Sequence, residues 1–353
     1  MDLSAHIPTE NLSSHTDRLL ASLRAVGDVL GADHSLAASQ WLEHWGQLVP
    51  LEGDVEAAQD THRRVGQMMP CFAELVFTLR GNEFQAAWMS GGRNGAHLAE
   101  TVASLLHSTV TAHLMSGGDR RRAELMAELF AAAFPNLQRL REMSALAQVF
   151  LVGVAPDSEG HTLKVYLNPR VSSGDPVSHL RRIAESSGAD GVGFADLVSR
   201  VYRDRGRTAK LYGVGVDLAE NRPARIKLYV RVSRDETPFV LGEMGASDAL
   251  MEFLQRFDHP ALTENVELAL ALVDGKISAK ATQFWSGKAM DEPQEREALD
   301  WLSKAGFATT PIQRAFDRLR APRPPTVQRS PLHAIGIETT HTLKANVYAQ
   351  PEL

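Results

Sequence analysis

Apolar positions in the first part of the chain recur at helical spacing. Leu19, Leu20, Leu23, Val26 and Leu30 form one stripe, and Leu36, Trp41, Leu42 and Trp45 form another. Asp54 opens a more polar helix ending near Pro70, so residues 1–70 read as an N-terminal helical part. At Ala73 the period changes to two. Ala73-Glu-Leu-Val-Phe-Thr-Leu79 alternates, Gly81-Asn82 turns the chain, and Phe84 to Met89 runs back. Two short alternating runs around a Gly-Asn turn predict a β-hairpin.

The same unit repeats four more times. Helical stretches near 95–115 and 120–143 lead to strands near 147–154 and 162–168, separated by Pro156-Asp-Ser-Glu-Gly160. Helices near 176–187 and 194–203 lead to strands near 209–217 and 224–231, separated by Glu220-Asn-Arg-Pro223. A helix near 247–257 leads to strands near 265–273 and 276–285, joined by Asp274-Gly275, a strong hairpin signal. Helices near 292–304 and 310–319 and a Pro-rich link at 321–325 lead to strands near 332–339 and 342–349.

Five helix-plus-hairpin units supply ten antiparallel strands, and an open sheet of that size leaves two long edges. Closure into a barrel removes the edges and lets the helices cover the outside. The expected class is α+β: a single antiparallel ten-stranded β-barrel ringed by helices, with residues 71–353 carrying the repeated units and 1–353 forming one domain. Leu163, Val165 and Leu167 share one strand face, as do Ile226, Leu228 and Val230, Val266, Leu268, Leu270 and Leu272, and Leu343, Ala345 and Val347. If these faces meet the helices, the opposite, polar faces point into the barrel, which at this strand number is wide enough to hold a ligand. In an ordinary half-buried sheet the polar face would meet water instead.

The polar face has an unusual composition. It carries Glu74, then Lys164, Tyr166 and Asn168, Lys210 and Tyr212, and Arg225, Lys227, Tyr229 and Arg231. Lys280, Thr282 and Phe284 follow, and Lys344, Asn346 and Tyr348 close the series. Of five tyrosines, four lie on these strands, each two or four residues beyond a lysine; Tyr202 is the exception. Converging cations repel one another unless an anion sits among them. A diphosphate suits them, with lysine as point charge and arginine as bidentate donor. Aromatic rings one step further along would stabilise a cation in a desolvated site. Cations beside an aromatic cage fit an allylic diphosphate that ionises to a carbocation.

Composition narrows the alternatives. Across 353 residues, 43 acidic against 37 basic side chains give a formal net charge of −6, so no strong basic field exists to hold nucleic acid. One cysteine, Cys71, excludes an intrachain disulfide framework and a cysteine-based zinc cluster. The opening MDLSAHIPTE lacks a signal-peptide layout, and no apolar run approaches ~18 residues. A cytoplasmic protein without membrane or nucleic-acid partners is expected, as monomer or homodimer. Thirteen histidines show no His-Glu-x-x-His pair or other ligand spacing, so no metal site is assigned. Ser90-Gly-Gly-Arg-Asn-Gly95 lacks both phosphate-loop signatures and reads as a strand-to-helix turn; Arg120-Arg-Arg122 reads as a solvated helix face.

Three segments carry a resemblance to a known family. Leu163-Lys-Val-Tyr-Leu-Asn-Pro169, Gly215-Val-Asp-Leu218 with Ala224-Arg-Ile-Lys-Leu-Tyr-Val-Arg231, and Leu343-Lys-Ala-Asn-Val-Tyr-Ala-Gln-Pro351 resemble the tryptophan dimethylallyltransferase (DMATS-type) indole prenyltransferases. These motifs span about 160–350. The family implies the α-β-β-α prenyltransferase barrel and Friedel–Crafts prenylation in secondary metabolism, here expected on tryptophan or an indole-derived natural product. Neither a cofactor nor magnesium is obligatory, magnesium at most stimulating, and the chain carries no Asp-Asp-x-x-Asp motif.

By this resemblance Lys164, Arg225, Lys227, Lys280 and Lys344 bind the diphosphate, and Tyr166, Tyr229 and Tyr348 shield the cation. Glu74 accepts the indole N–H and serves as catalytic base. Gln85 stands where the family usually places a diphosphate arginine, and Tyr212 where fungal members hold the tryptophan carboxylate with arginine. With Lys210 and Thr282 they are assigned to the acceptor pocket. These departures leave a modified indole or another aromatic open as acceptor. A phenolic or phenazine acceptor, or a noncatalytic barrel binding an anionic amphiphile, are the alternatives.

Overall fold

Alternating strands need two different surroundings, and a closed sheet wrapped in helices supplies both. The computed structural model describes residues 73–80, 83–91, 98–115, 117–136, 150–157, 160–167, 175–205, 210–219, 224–244, 248–256, 262, 264–273, 276–284, 292–320, 330–339 and 343–349. The expected N-terminal helical part at 1–70, Cys71, and the link at 321–325 lie outside the described residues.

The strands are β1 (Ala73–Arg80), β2 (Glu83–Gly91), β3 (Phe150–Asp157), β4 (Gly160–Leu167) and β5 (Lys210–Leu218). They continue as β6 (Arg225–Ser233), β7 (Asn265–Val273), β8 (Lys276–Phe284), β9 (Leu332–Thr339) and β10 (Leu343–Ala349). Every neighbouring pair is antiparallel, and the pairing of β1 with β10 closes the sheet into a barrel. The helices are α1 (Leu98–Met115), α2 (Arg120–Ala133), α3 (Pro176–Ser186), α4 (Gly191–Arg205), α5 (Thr237–Glu243), α6 (Asp248–Arg256), α7 (Glu292–Lys304) and α8 (Thr310–Arg320). Among the described residues, a pair of helices precedes each hairpin except the first.

The helices form where the sequence caps and stripes them. Asp175 accepts hydrogen bonds from the Val177 and Ser178 amides while Pro176 opens α3, an N-terminal cap with proline where an amide is not needed. Asp119 caps α2 by accepting from the Arg122 amide, and its carboxylate also pairs with the Arg122 guanidinium. Arg122 is therefore buried, not part of a solvated face, whereas Arg120 is exposed. The helix expected over 120–143 stops at Ala133: Phe134 leaves helical geometry (φ −127, ψ 65) and Pro135 follows.

Two other boundaries differ from the sequence pattern. The strand expected at 147–154 is Phe150–Asp157, because pairing continues through Pro156 opposite His161 and Asp157 opposite Gly160. The segment expected to turn is thus partly ladder. The short helix α5 carried no periodic signal and follows a run of turns at Arg234–Glu236.

The aliphatic strand faces pack outward on the helices. One continuous core joins Leu163, Val165, Val214, Val216, Ile226, Leu228, Val266, Leu268, Ile335 and Val347 to helical Met126, Leu180, Phe194, Phe253 and Phe316. Phe77 of β1 meets Phe316 of α8 edge-on with ring centroids 6.1 Å apart. A second, small apolar cluster of Val76, Ala155, Ala334, Tyr348 and Tyr166 is separate from it and lies on the opposite strand faces. That separation places the alternate face inside the barrel.

Candidate active site

Ion pairs cross the barrel interior. Arg225 Nη2 on β6 donates to Glu338 Oε1 on β9 at 2.7 Å, bridging two intervening strands. Lys344 Nζ on β10 donates to the other oxygen of that carboxylate at 3.1 Å. Lys227 Nζ lies 2.6 Å from Asp217 Oδ2. In the ladder, Asp217 stands opposite Lys164 of β4 and opposite Arg225 of β6. Lys164, Arg225, Lys227 and Lys344 thus converge, with two carboxylates among them.

The charges strain against burial. Burial pushes the Lys164 ammonium down to about 8; Asp217 opposes this, while Lys227, Lys344 and Lys280 add to it. Burial works against ionised Asp217 and Glu338 as well, but the cations win. Lys227 and Lys164 hold Asp217 down to about 2, and Lys344 and Arg225 hold Glu338 well below the usual carboxylate range. Both carboxylates are therefore charged, a pattern that concentrates at functional sites.

The tyrosines sit beside this cluster. Tyr166 and Tyr229 meet edge-on, ring centroids 5.7 Å apart at 61°. Lys280 Nζ donates to the Tyr348 hydroxyl at 2.7 Å and lies 5.4 Å from the Tyr348 ring centroid and 5.8 Å from that of Tyr229. Sequence reasoning grouped Lys280 with the other basic side chains; the structure places its ammonium among the tyrosines. Burial keeps the Tyr229 phenol protonated, its pKa raised well above 10.

Thr282 is completely buried on β8, opposite Glu267 and Gly336 in the ladder. A Cβ at Gly336 would come within 2.7 Å of the Thr282 hydroxyl, so glycine is what lets this threonine occupy the inner face. Thr78 donates to Asn346 Oδ1 at 2.9 Å. Glu74 and Gln85 are placed by register alone, opposite Met89 and Thr78. Lys210 stands opposite Arg231, and Tyr212 is the extra residue at a register shift between Leu211 and Gly213.

Three acidic residues escaped the sequence reading. Asp217 and Glu338 neutralise part of the cluster, so the cations do not face one another uncompensated. Glu267 is a third, buried opposite Arg231; burial raises its pKa while Lys280 and Arg231 lower it. Their signal was present in the alternation. Gly213, Gly215 and Asp217 share one face of β5, and Ala334, Gly336 and Glu338 share one face of β9. The glycines beside them leave room for the Tyr166 and Tyr229 rings and for the Thr282 hydroxyl.

No protein-family model matches the sequence, and no curated protein matches it. Solved structures do. The 5-dimethylallyltryptophan synthase from Streptomyces coelicolor superposes with a TM-score of 0.69 at 15% identity, covering 96% of this chain and 98% of that one. PriB, solved with L-tryptophan and dimethylallyl thiolodiphosphate, gives 0.67 at 15% identity over 96% of both chains. This chain has the fold of tryptophan prenyltransferases. The 6-dimethylallyltryptophan synthase from Micromonospora olivasterospora, solved with DMASPP and Trp, has it too, with a TM-score of 0.65 at 18% identity and coverage of 96% and 98%. In the prenyltransferase barrel seen here, the ion-pair cluster and the tyrosines occupy the interior.

Proposed function

We propose that the protein is an aromatic prenyltransferase moving a dimethylallyl or longer prenyl group from its diphosphate to an indole ring. The placement of Tyr166, Tyr229 and Tyr348 beside a basic cluster inside a closed barrel carries this reading. Five cations (Lys164, Arg225, Lys227, Lys280 and Lys344) stand against Asp217 and Glu338, which favours a multiply charged anion. The basic side chains draw off the diphosphate as the allylic C–O bond breaks, an electrostatic contribution of the kind that dominates many active sites. The tyrosine rings shield the allylic cation from water. A ring carbon supplies its π pair to the new C–C bond, and transfer of the proton on that carbon to the released diphosphate or to water restores aromaticity. Glu74 holds the indole N–H and makes the ring more nucleophilic.

Incubation with dimethylallyl diphosphate and a panel of indoles, phenols and phenazines, with EDTA present, is expected to yield a product heavier by one prenyl unit. Absence of product from every acceptor would sink the reading. Tight diphosphate binding without turnover would instead indicate a binding barrel. Glu74→Gln is expected to lower turnover with little effect on donor binding, and full retention of rate would remove Glu74 from its role.

A further inference from the structure

We infer that Asp217 is a positioning residue that keeps Lys164 charged for the donor diphosphate, an inference that rests on the reading above. Asp217 is the anion shared by three of the cations assigned to the donor. It touches Lys227 at 2.6 Å and stands opposite both Lys164 and Arg225 in the ladder. On the other side, β3 presents Gly153 to Lys164 and so brings no charge. The other strongest charges acting on Lys164 are Lys227 of β6, Lys280 of β8 and Lys344 of β10, all cations that disfavour its proton. Asp217 alone works in its favour among the groups that act on it most strongly. An isolated ammonium in that setting sheds its proton rather than stay buried and charged.

The carboxylate has an opposing effect as well, because its negative charge faces the incoming diphosphate. The two effects separate with pH. Below the titration of Lys164, loss of Asp217 leaves the lysine charged and removes a repulsion. Above it, loss of Asp217 leaves a neutral amine where a cation is needed. A side chain that merely held the strands together would weaken binding equally at every pH.

Calorimetric titration of the full chain with inorganic diphosphate from pH 6 to 9 tests this, each variant read as a ratio to the native chain so that the ligand's own protonation cancels. Asp217→Asn is expected to bind at least as tightly as native at the acid end and about tenfold or more weakly near pH 8, the fall beginning about one pH unit or more earlier than in the native chain. Adding Lys164→Arg to it, which supplies a cation that does not deprotonate in this range, is expected to restore binding at the alkaline end. A uniform weakening, an unchanged profile, or failure of arginine to rescue overturns the inference. Should Asp217→Asn not fold, Asp217→Ser is read in the same way, and an alkaline fall that begins no earlier than in the native chain overturns the inference. Native chain that binds no diphosphate at any pH overturns the donor site as well, whereas native binding with an unchanged Asp217→Asn profile overturns only the role of Asp217.

Discussion

Tyr166 and Tyr229 meet edge-on across Gly215, which leaves the space their rings occupy. A Cβ at Gly215 would lie 2.8 Å from Tyr229 Cε2 and 3.2 Å from Tyr166 Cδ1. Contacts that close force one ring to move, and overpacking of this kind costs about 1–3 kcal/mol. Gly215→Ala is therefore expected to lower the melting temperature by a few degrees and to reduce product formation well beyond the loss of folded protein. Thermal melts beside single-turnover rates check this; an unchanged rate would mean that the tyrosine pair is not part of the shield.

The Tyr229 ring, not its hydroxyl, is the feature that the proposed shielding role needs. Its phenol stays protonated because of burial, so Tyr229 contributes no limb to a pH–rate profile between pH 6 and 9. Tyr229→Phe is expected to keep most activity. Tyr229→Leu is expected to raise the share of donor lost to water as prenyl alcohol, on the order of several-fold for a desolvated cation–π contact of ~1–2 kcal/mol. Product ratios by chromatography distinguish the two.

Lys164 bears on stability in the direction opposite to the binding role proposed for it. Its folded pKa, about 8, lies below the ordinary 10.5, so between these values the unfolded chain binds more protons and stability rises with pH. Below about pH 8 the buried charge costs roughly 3–4 kcal/mol, since each tenfold loss of proton affinity corresponds to ~1.4 kcal/mol. Lys164→Met is expected to be more stable than the native chain at pH 7, with the difference fading by pH 10.5, as denaturant melts at the two pH values would reveal. A stabilisation that does not change with pH would place its origin elsewhere.

Glu338 behaves in the reverse sense. Its folded pKa is depressed from the ordinary 4.5 by Lys344 and Arg225 against the opposing effect of burial. The stability it contributes is thus present above about pH 4.5 and lost as pH falls through the folded value. Removing one partner of a buried pair costs about 3–5 kcal/mol, less here because Arg225 and Lys344 are partly exposed. Glu338→Gln is expected to destabilise the chain by roughly 2 kcal/mol at pH 7 and by progressively less in acid. Equal destabilisation at pH 3 and pH 7 would rule out the charge as the cause.

Much of the barrel was legible because strand alternation has only one solution when one face must meet helices. Leu163, Val165 and Leu167 announced the outward face of β4, and Lys164 and Tyr166 therefore the inward one. The same alternation located Tyr229 and Lys227 on β6 and Tyr348 and Lys344 on β10. The acidic partners were harder. A lone Asp217 or Glu338 on an alternating strand looks like any polar residue, and Glu338 meets an arginine 113 positions away in the chain. Periodicity carries no information about a contact across the lumen.

The sequence by itself determined which residues share a face and therefore which side chains could enter the barrel, because a period of two is a local property of the backbone. Tertiary closure decided the rest. Bringing β6 and β9 across from one another added Arg225 to the Glu338 that Lys344 already faces within its own hairpin. It also set the Lys280 ammonium against the Tyr348 and Tyr229 rings, while Lys280 still stands opposite Glu338 in the ladder. Those outcomes depend on how far the strands are sheared when the sheet closes, which no stretch of sequence encodes alone.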